Sequence, residues 1–415
     1  MNYLNVEFEG ALVGRAHVDA RADEFAFSYD EAWLDRPDSF PISVHLPLRQ
    51  ERWPAERAHI FFANLLPEGQ ARQAICDRLG ISPDNDVALL AELGDDTAGA
   101  FRFVPDDATK SRTRRGRRPI TDTELEEWAS GEPAFPLEDD YEPRLSLAGA
   151  QHKTSVVLTS DGYAQPASGE PSTHILKFDS PDFPHLTANE FLTTRFAAEL
   201  GLETVSQTLD DRTSPPVLVV ERYDRRGTDQ KTRRLNQEDF CQILGYRPAR
   251  KYESDGGPGL GDIASAIRQY SGRPAADVLE LVRWVIFCAL SGNADGHAKN
   301  LSMLYGPSGL SLAPAYDLVC TRAFPRLYRG LAFSVGGERN PDRLRAEEWE
   351  SLADTLGVNR SLVLRQVESL TDEADAAFGR ACDQLRTEIG ESHAIQHVSK
   401  AVRKRVRAIR SHLEP

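Results

Sequence analysis

Hydrophobic and polar residues alternate through the first thirty positions. Tyr3, Leu4, Val6 and Phe8 are followed by Ala11, Leu12 and Val13, then by Phe25, Phe27 and Tyr29, with Gly10 and Gly14 between them. A period near two with glycine punctuation predicts a small antiparallel sheet. From about His59 to Leu79 the pattern becomes helical. It breaks at Pro67-Glu68-Gly69 and stops at Gly80. Gly94-Asp95-Asp96 and Gly99 lead into a short strand over Ala100 to Val104. Strands dominate from about 145 to 222, at Ser155–Leu158, Thr173–Phe178, Gln207–Asp210 and Val217–Glu221. One helix interrupts them. Thr187 and Glu190 have capping-box spacing, Leu192, Phe196 and Leu200 repeat every four residues, and Gly201 closes it. Beyond 235 the chain reads as mostly helical. Val278 to Leu290 is apolar all round, the mark of a buried helix. No repeat of 20–50 residues argues for a solenoid.

The 415 residues suggest two or three domains. With 49 Lys and Arg against 64 Asp and Glu, the net charge is −15. That balance disfavours non-specific binding of nucleic acid or anionic lipid by the whole surface. Two local clusters run the other way. Lys110, Arg112, Arg114, Arg115, Arg117 and Arg118 crowd one short segment, and Lys400, Arg403, Lys404, Arg405, Arg407 and Arg410 another. Both read first as solvated faces or linkers, and second as contacts with nucleic acid or an acidic partner. The start, MNYLNVEFEG, lacks the pattern of a secretory signal, and Glu280 and Arg283 interrupt the most apolar window. Cys76, Cys241, Cys288, Cys320 and Cys382 are scattered, with no CxxC. These features predict a cytoplasmic protein without membrane span, disulfide framework or zinc site.

The chemistry concentrates after the buried helix. Ser291-Gly292 ends it, and Asn293-Ala294-Asp295-Gly296-His297-Ala298-Lys299-Asn300 follows as a polar loop. Leu301–Tyr305, Gly306–Gly309 and Leu310–Ala313 then predict a hairpin, with Asp317 just beyond it. Phosphoryl transfer needs a carboxylate to accept the hydroxyl proton and hard oxygen ligands for Mg²⁺. Protein kinases place the base five residues before a metal-binding Asn, with a metal-binding Asp after a short hairpin. Asp295, Asn300 and Asp317 have that spacing and context. A capped helix followed by a polar hairpin is the plainer alternative.

Upstream, Lys177 ends an apolar strand, where a cation is costly unless paired, and is a candidate for the α/β-phosphates of a nucleotide. Glu190 would pair with it or merely cap its own helix. The small residues of Ser146-Leu147-Ala148-Gly149-Ala150-Gln151-His152-Lys153 suit backbone contacts to phosphate oxygens. Glu221-Arg222-Tyr223-Asp224 ends another strand. There Asp224 would accept from ribose hydroxyls and Tyr223 pack near adenine, or the group is an ordinary surface pair with a core tyrosine.

SLAGAQHK (146–153), THILKFD (173–179), ERYDR (221–225), QEDFCQILG (237–245), KYE (251–253), NADGHAKNLS (293–302) and LAPAYDL (312–318) together resemble the HipA family. NLLPEG (64–69) and LLAELGDDTAGAFRF (89–103) resemble its N-terminal domain, so the likeness runs from about 1 to 380. It implies an α+β chain with a divergent two-lobed protein-kinase-like fold. An extra N-terminal strand-rich subdomain would occupy 1–105, a basic linker and connecting segment 106–140, the kinase N-lobe 141–224, and the helical C-lobe 225–415.

The resemblance further implies a serine/threonine-kinase toxin of a type II toxin–antitoxin module, using ATP and Mg²⁺. Asp295 would be the base and Lys299 a catalytic-loop cation, while Asn300 and Asp317 hold the metal. Ala148, Gly149, Ala150, Gln151, Lys153, Lys177, Glu221, Tyr223, Asp224 and His297 would bind ATP, and Ser146 would be autophosphorylated. Expected partners are a HipB-like helix-turn-helix antitoxin and, through it, operator DNA. The expected substrate is an aminoacyl-tRNA synthetase such as the glutamyl enzyme, whose loss arrests growth and favours persistence. A non-catalytic corepressor and a small-molecule kinase remain as alternatives.

Overall fold

The computed structural model describes residues 2–19, 24–106, 116–131, 152–227 and 232–413, apart from the side chain of Gln70. The chain divides into two compact units. One comprises Met1–Phe178, Val219–Glu238 and Gly245–Pro248, the other Asp179–Leu218, Asp239–Leu244 and Ala249–Pro415.

The first unit begins with the expected sheet. Its strands lie in the order Glu24–Tyr29, Ala11–Asp19, Tyr3–Phe8 and Arg102–Pro105, each pair antiparallel. Alternation puts Leu4, Val6, Phe25 and Phe27 on the buried face. Gly14 is required there, because a Cβ would come 2.3 Å from the Ser28 carbonyl oxygen and 2.6 Å from the Phe27 ring. The helices Ala55–Ala63, Gly69–Leu79 and Asp86–Leu93 follow. Phe61 and Phe62 from the first of these join Phe25, Phe27 and Phe103 in one aromatic core. Gly80, at φ 64°, ends the second helix as its left-handed cap.

A second sheet in this unit runs Arg118–Pro119, Gly162–Gln165, Lys153–Thr159 and His174–Lys177, with Val217–Glu221 next in order. Part of the segment expected to be a basic linker is ordered structure. Thr121 and Glu124 form a capping box for the helix Asp122–Ala129, and Trp128 of that helix packs edge-on to Phe178. Arg117 pairs with Glu170 at 2.7 Å and Arg118 with Glu124 at 2.6 Å, so these two basic residues serve the fold. Residues 107–115, which hold the other four of the cluster, lie outside the described residues.

The second unit packs long helices. Phe196 of Leu186–Glu199 meets Phe287 of Pro274–Ser291 and Phe378 of Arg360–Ile389, each at 5.3 Å between ring centres. The capping box expected of Thr187 and Glu190 does not form. The helix starts earlier, and the Asp179 carboxylate accepts from His185 N, Thr187 N and Thr187 Oγ1 instead. In the C-terminal helix His393–Leu413, Arg405 is buried against Asp342 rather than solvated. Lys404 reaches the same carboxylate at 3.2 Å, and Arg410 lies 3.6 Å from Asp375. Arg403 and Arg407 remain exposed. All five cysteines are buried, and none is in a disulfide. Among the described residues no helix is long and apolar enough to cross a membrane.

Candidate active site

The buried helix Pro274–Ser291 fixes the loop that follows it. Pro274 at its first turn and Gly292 in the left-handed cap at φ 72° set its two ends. Its Asp277, fully buried, accepts from Ser271 Oγ at 2.6 Å and from Leu312 N at 3.0 Å, which ties the helix to the hairpin Ser302–Gly306 and Gly309–Leu312. Gly296 has no room for a side chain, since a Cβ would meet the Trp284 ring at 2.9 Å and Cys288 Sγ at 3.1 Å.

Within the loop the backbone is cross-braced. Asp295 N donates to Asn293 Oδ1 at 3.0 Å, while the Asp295 carbonyl accepts from His297 N and Asn300 Nδ2, both at 2.8 Å. Ala294 N donates to Thr321 Oγ1 at 2.8 Å. This leaves the Asp295 side chain 55 % exposed, whereas His297, Lys299 and Asn300 are buried. His297 Nε2 lies 3.9 Å from Asp295 Oδ1. The Lys299 ammonium lies 3.8 Å from Asp239 Oδ2. Because Asn300 spends its amide NH₂ on Asp295, its amide oxygen is the remaining acceptor.

The Tyr316 hydroxyl donates to the Lys299 carbonyl at 2.7 Å and meets Ser302 Oγ at 2.6 Å, which brings the neighbouring Asp317 back to the loop. Asp317 has φ 53°, a left-handed conformation that costs a non-glycine residue about 1 kcal/mol or more. Such strain concentrates where a side chain must be aimed. An amide oxygen and a carboxylate are hard donors of the kind Mg²⁺ takes.

The first unit holds the other expected residues. Lys153 and Lys177 are direct cross-strand partners on neighbouring antiparallel strands, hence on the same face, and both are buried at 8 % and 4 % exposure. Glu221 is exposed at the end of its strand, and the Tyr223 hydroxyl donates to Gln237 Oε1. Ser146, Ala148, Gly149, Ala150 and Gln151 lie outside the described residues.

Asp224 has a structural duty that the sequence did not announce. Its Oδ1 accepts from Arg222 Nε at 3.0 Å. Its Oδ2 accepts from Arg222 Nη2 and Gly99 N, both at 2.8 Å, and lies 2.9 Å from Arg225 Nη1. Asp96 sits beside it, within 3.4 Å of Arg222 and Arg234 and 3.0 Å of Arg225. Burial alone would raise both carboxyls, but the guanidiniums hold Asp96 and Asp224 below the usual carboxylate range. GDDTAG and ERYDR, two separate motifs in the sequence, are thus one buried ion cluster. A ribose contact by Asp224 would have to share an already engaged carboxylate.

Two site residues escaped sequence reasoning. Tyr252 donates its hydroxyl to Asp295 Oδ1, and Asp239 faces Lys299. Both lie in motifs that carried the resemblance, KYE and QEDFCQILG, and that was the only available signal.

Residues 4–104 match the model of the HipA N-terminal domain and residues 145–378 that of the HipA-like C-terminal domain. The chain is 38% identical to Y4mE of Sinorhizobium fredii over 98% of both chains. It is 33% identical to the serine/threonine-protein kinase toxin HipA of Shewanella oneidensis, over 87% of this chain and 85% of that one. A solved complex of Shewanella oneidensis MR-1 HipA with HipB and operator DNA contains a chain that superposes with a TM-score of 0.84 at 29% identity, covering 98% of this chain and 96% of that one. Motif order, fold and whole-length similarity place this chain in the HipA family.

Proposed function

We propose that the protein is an ATP-dependent serine/threonine kinase and the toxin of a toxin–antitoxin pair. The catalytic loop carries this reading: an exposed Asp295 carboxylate on a rigid backbone, with Asn300 locked beside it and Asp317 held in a strained conformation. In the reaction the acceptor hydroxyl gives its proton to Asp295. Its oxygen bonds to the γ-phosphorus, and the γ-phosphorus–oxygen bond to ADP breaks. Lys299 would offset charge on the phosphoryl group, with Asp239 setting its place. Asn300 and Asp317 would hold Mg²⁺, which when bound neutralises phosphate charge. Lys153 and Lys177 would take the α/β-phosphates with the 146–151 loop, Glu221 and Tyr223 the adenine side, and His297 and Asp224 the ribose side.

Ser146 is proposed as the autophosphorylation site. A phosphate there adds about −1.5 to −2 charges beside the phosphate loop and should oppose ATP binding. The solved Shewanella relative is bound to HipB and operator DNA. By that likeness a HipB-like antitoxin and its operator are the proposed partners. The helix-turn-helix fold of that antitoxin and glutamyl-tRNA synthetase as substrate are proposed from the family resemblance of the sequence motifs alone.

Intact-protein mass spectrometry after incubation with Mg²⁺-ATP tests the reading. One phosphate is expected on wild type and none on Asp295→Ala or Ser146→Ala. A phosphate persisting on Asp295→Ala would remove Asp295 as base.

A further inference from the structure

We propose that Tyr252 is a positioning residue that holds the Asp295 carboxylate with one oxygen anchored and the other presented to the acceptor hydroxyl. This rests on the kinase reading above. A general base must offer a lone pair at a defined place. The Asp295 backbone is braced on three sides, but its side chain projects into solvent and would rotate if nothing held it. Its Oδ1 accepts from the Tyr252 hydroxyl, and no described residue hydrogen-bonds Oδ2. The division of labour follows: Oδ1 fixes the rotamer, and Oδ2 takes the proton.

Tyr252 is itself held. Its ring meets His297 edge-on, at 5.0 Å between centres and 86° between planes. Its neighbours on both sides are tied down. Lys251 accepts at its carbonyl from Ala298 N of the catalytic loop at 3.2 Å. Glu253 accepts from Ser334 N at 2.7 Å and Ser334 Oγ at 3.0 Å, and pairs with Arg339 at 2.7 Å. The Tyr252 carbonyl accepts from Asp255 N and Gly257 N, closing a tight turn. At Gly257 a Cβ would lie 2.0 Å from the Arg250 carbonyl oxygen and 2.7 Å from that of Tyr252, so only glycine allows the turn. Supporting contacts of this kind decide whether a catalytic group is fixed or merely present. They give the KYE motif a physical reason: Lys251 for the loop backbone, Tyr252 for the base, Glu253 for the anchor.

The opposite role would use the same contact, with the Tyr252 hydroxyl occupying the substrate's place on the base. The two roles predict opposite signs. Single-turnover phosphate gain is to be followed by intact-mass spectrometry, and ATP affinity by calorimetry, for wild type, Tyr252→Phe and Asp295→Asn. Tyr252→Phe keeps the ring on His297 and removes only the donor. It should slow transfer about tenfold to a hundredfold, the scale of losing a hydrogen bond to a charged group or of misplacing a reacting group by about 1 Å, with ATP affinity unchanged. A Phe variant as fast as wild type, or faster, overturns the positioning role while the kinase reading stands. A wild type that binds ATP but shows no transfer abolished by Asp295→Asn overturns both. Should Tyr252→Phe fold poorly, Tyr252→His and Tyr252→Leu decide instead. More activity in His, which retains a donor, is expected, and equal loss in both overturns the role.

Discussion

Asp96 is fully buried and faces three guanidiniums, so its pairing energy is sensitive to protonation. The folded carboxyl is held below its unfolded value of ~3.9, as is that of Asp224. The unfolded chain therefore binds the proton first as pH falls. The stabilisation is complete above that unfolded value and is lost as pH drops toward the depressed folded one. Asp96→Ala should cost about 3–5 kcal/mol in urea unfolding at pH 7, because it strands buried cations, and the gap to wild type should narrow in acid. His152 acts at milder pH. Burial lowers it from 6.5 to about 4. Unfolding thus gains a proton between those values, and the protein should lose stability as pH falls through that window. In His152→Gln, melting temperature should depend less on pH between 6.5 and 4. At this scale the sequence was legible where chemistry is local. Asp295 and Asn300 announce themselves five residues apart, but the donor to Asp295 stands 43 residues upstream and is set by folding alone.

Elements were legible wherever one signal dominated. Alternation found the N-terminal strands, a continuous apolar run found the helix Pro274–Ser291, and glycines marked the helix ends at Gly80, Gly201 and Gly292. The start of Leu186–Glu199 was misread because its cap comes from Asp179, six residues before His185 and outside any local motif. Helix Asp122–Ala129 was hidden by the basic run beside it, although Thr121 and Glu124 spell a capping box. The carboxylate link between buried helix and hairpin was equally invisible, since Asp277 reaches Leu312 N across 35 residues of sequence. Asp277→Ala would leave the buried Leu312 N–H without its acceptor, at about 1–3 kcal/mol. The urea midpoint should fall accordingly, and because the catalytic loop lies between the two elements, phosphate transfer should fall with it.

For the whole molecule, motif order was more informative than composition. A net charge of −15 said little about where cations matter, and the basic C-terminal helix proved to contain both structural and exposed members, with Arg405 buried and Arg403 in solvent. The ion cluster joining GDDTAG to ERYDR spans the two stretches that match separate family models. Those stretches are therefore chemically mortgaged to each other. A chimera that takes residues 4–104 from a relative must bring a carboxylate matching Asp96, or it leaves Asp224 alone against Arg222 and Arg225 and takes from Arg234 its Asp96 partner. Such a molecule should be recovered insoluble, and restoring the aspartate alone should bring back soluble protein. The cluster thus makes residues 4–104 a poor candidate for exchange on their own, because their charge is balanced by cations that lie outside them.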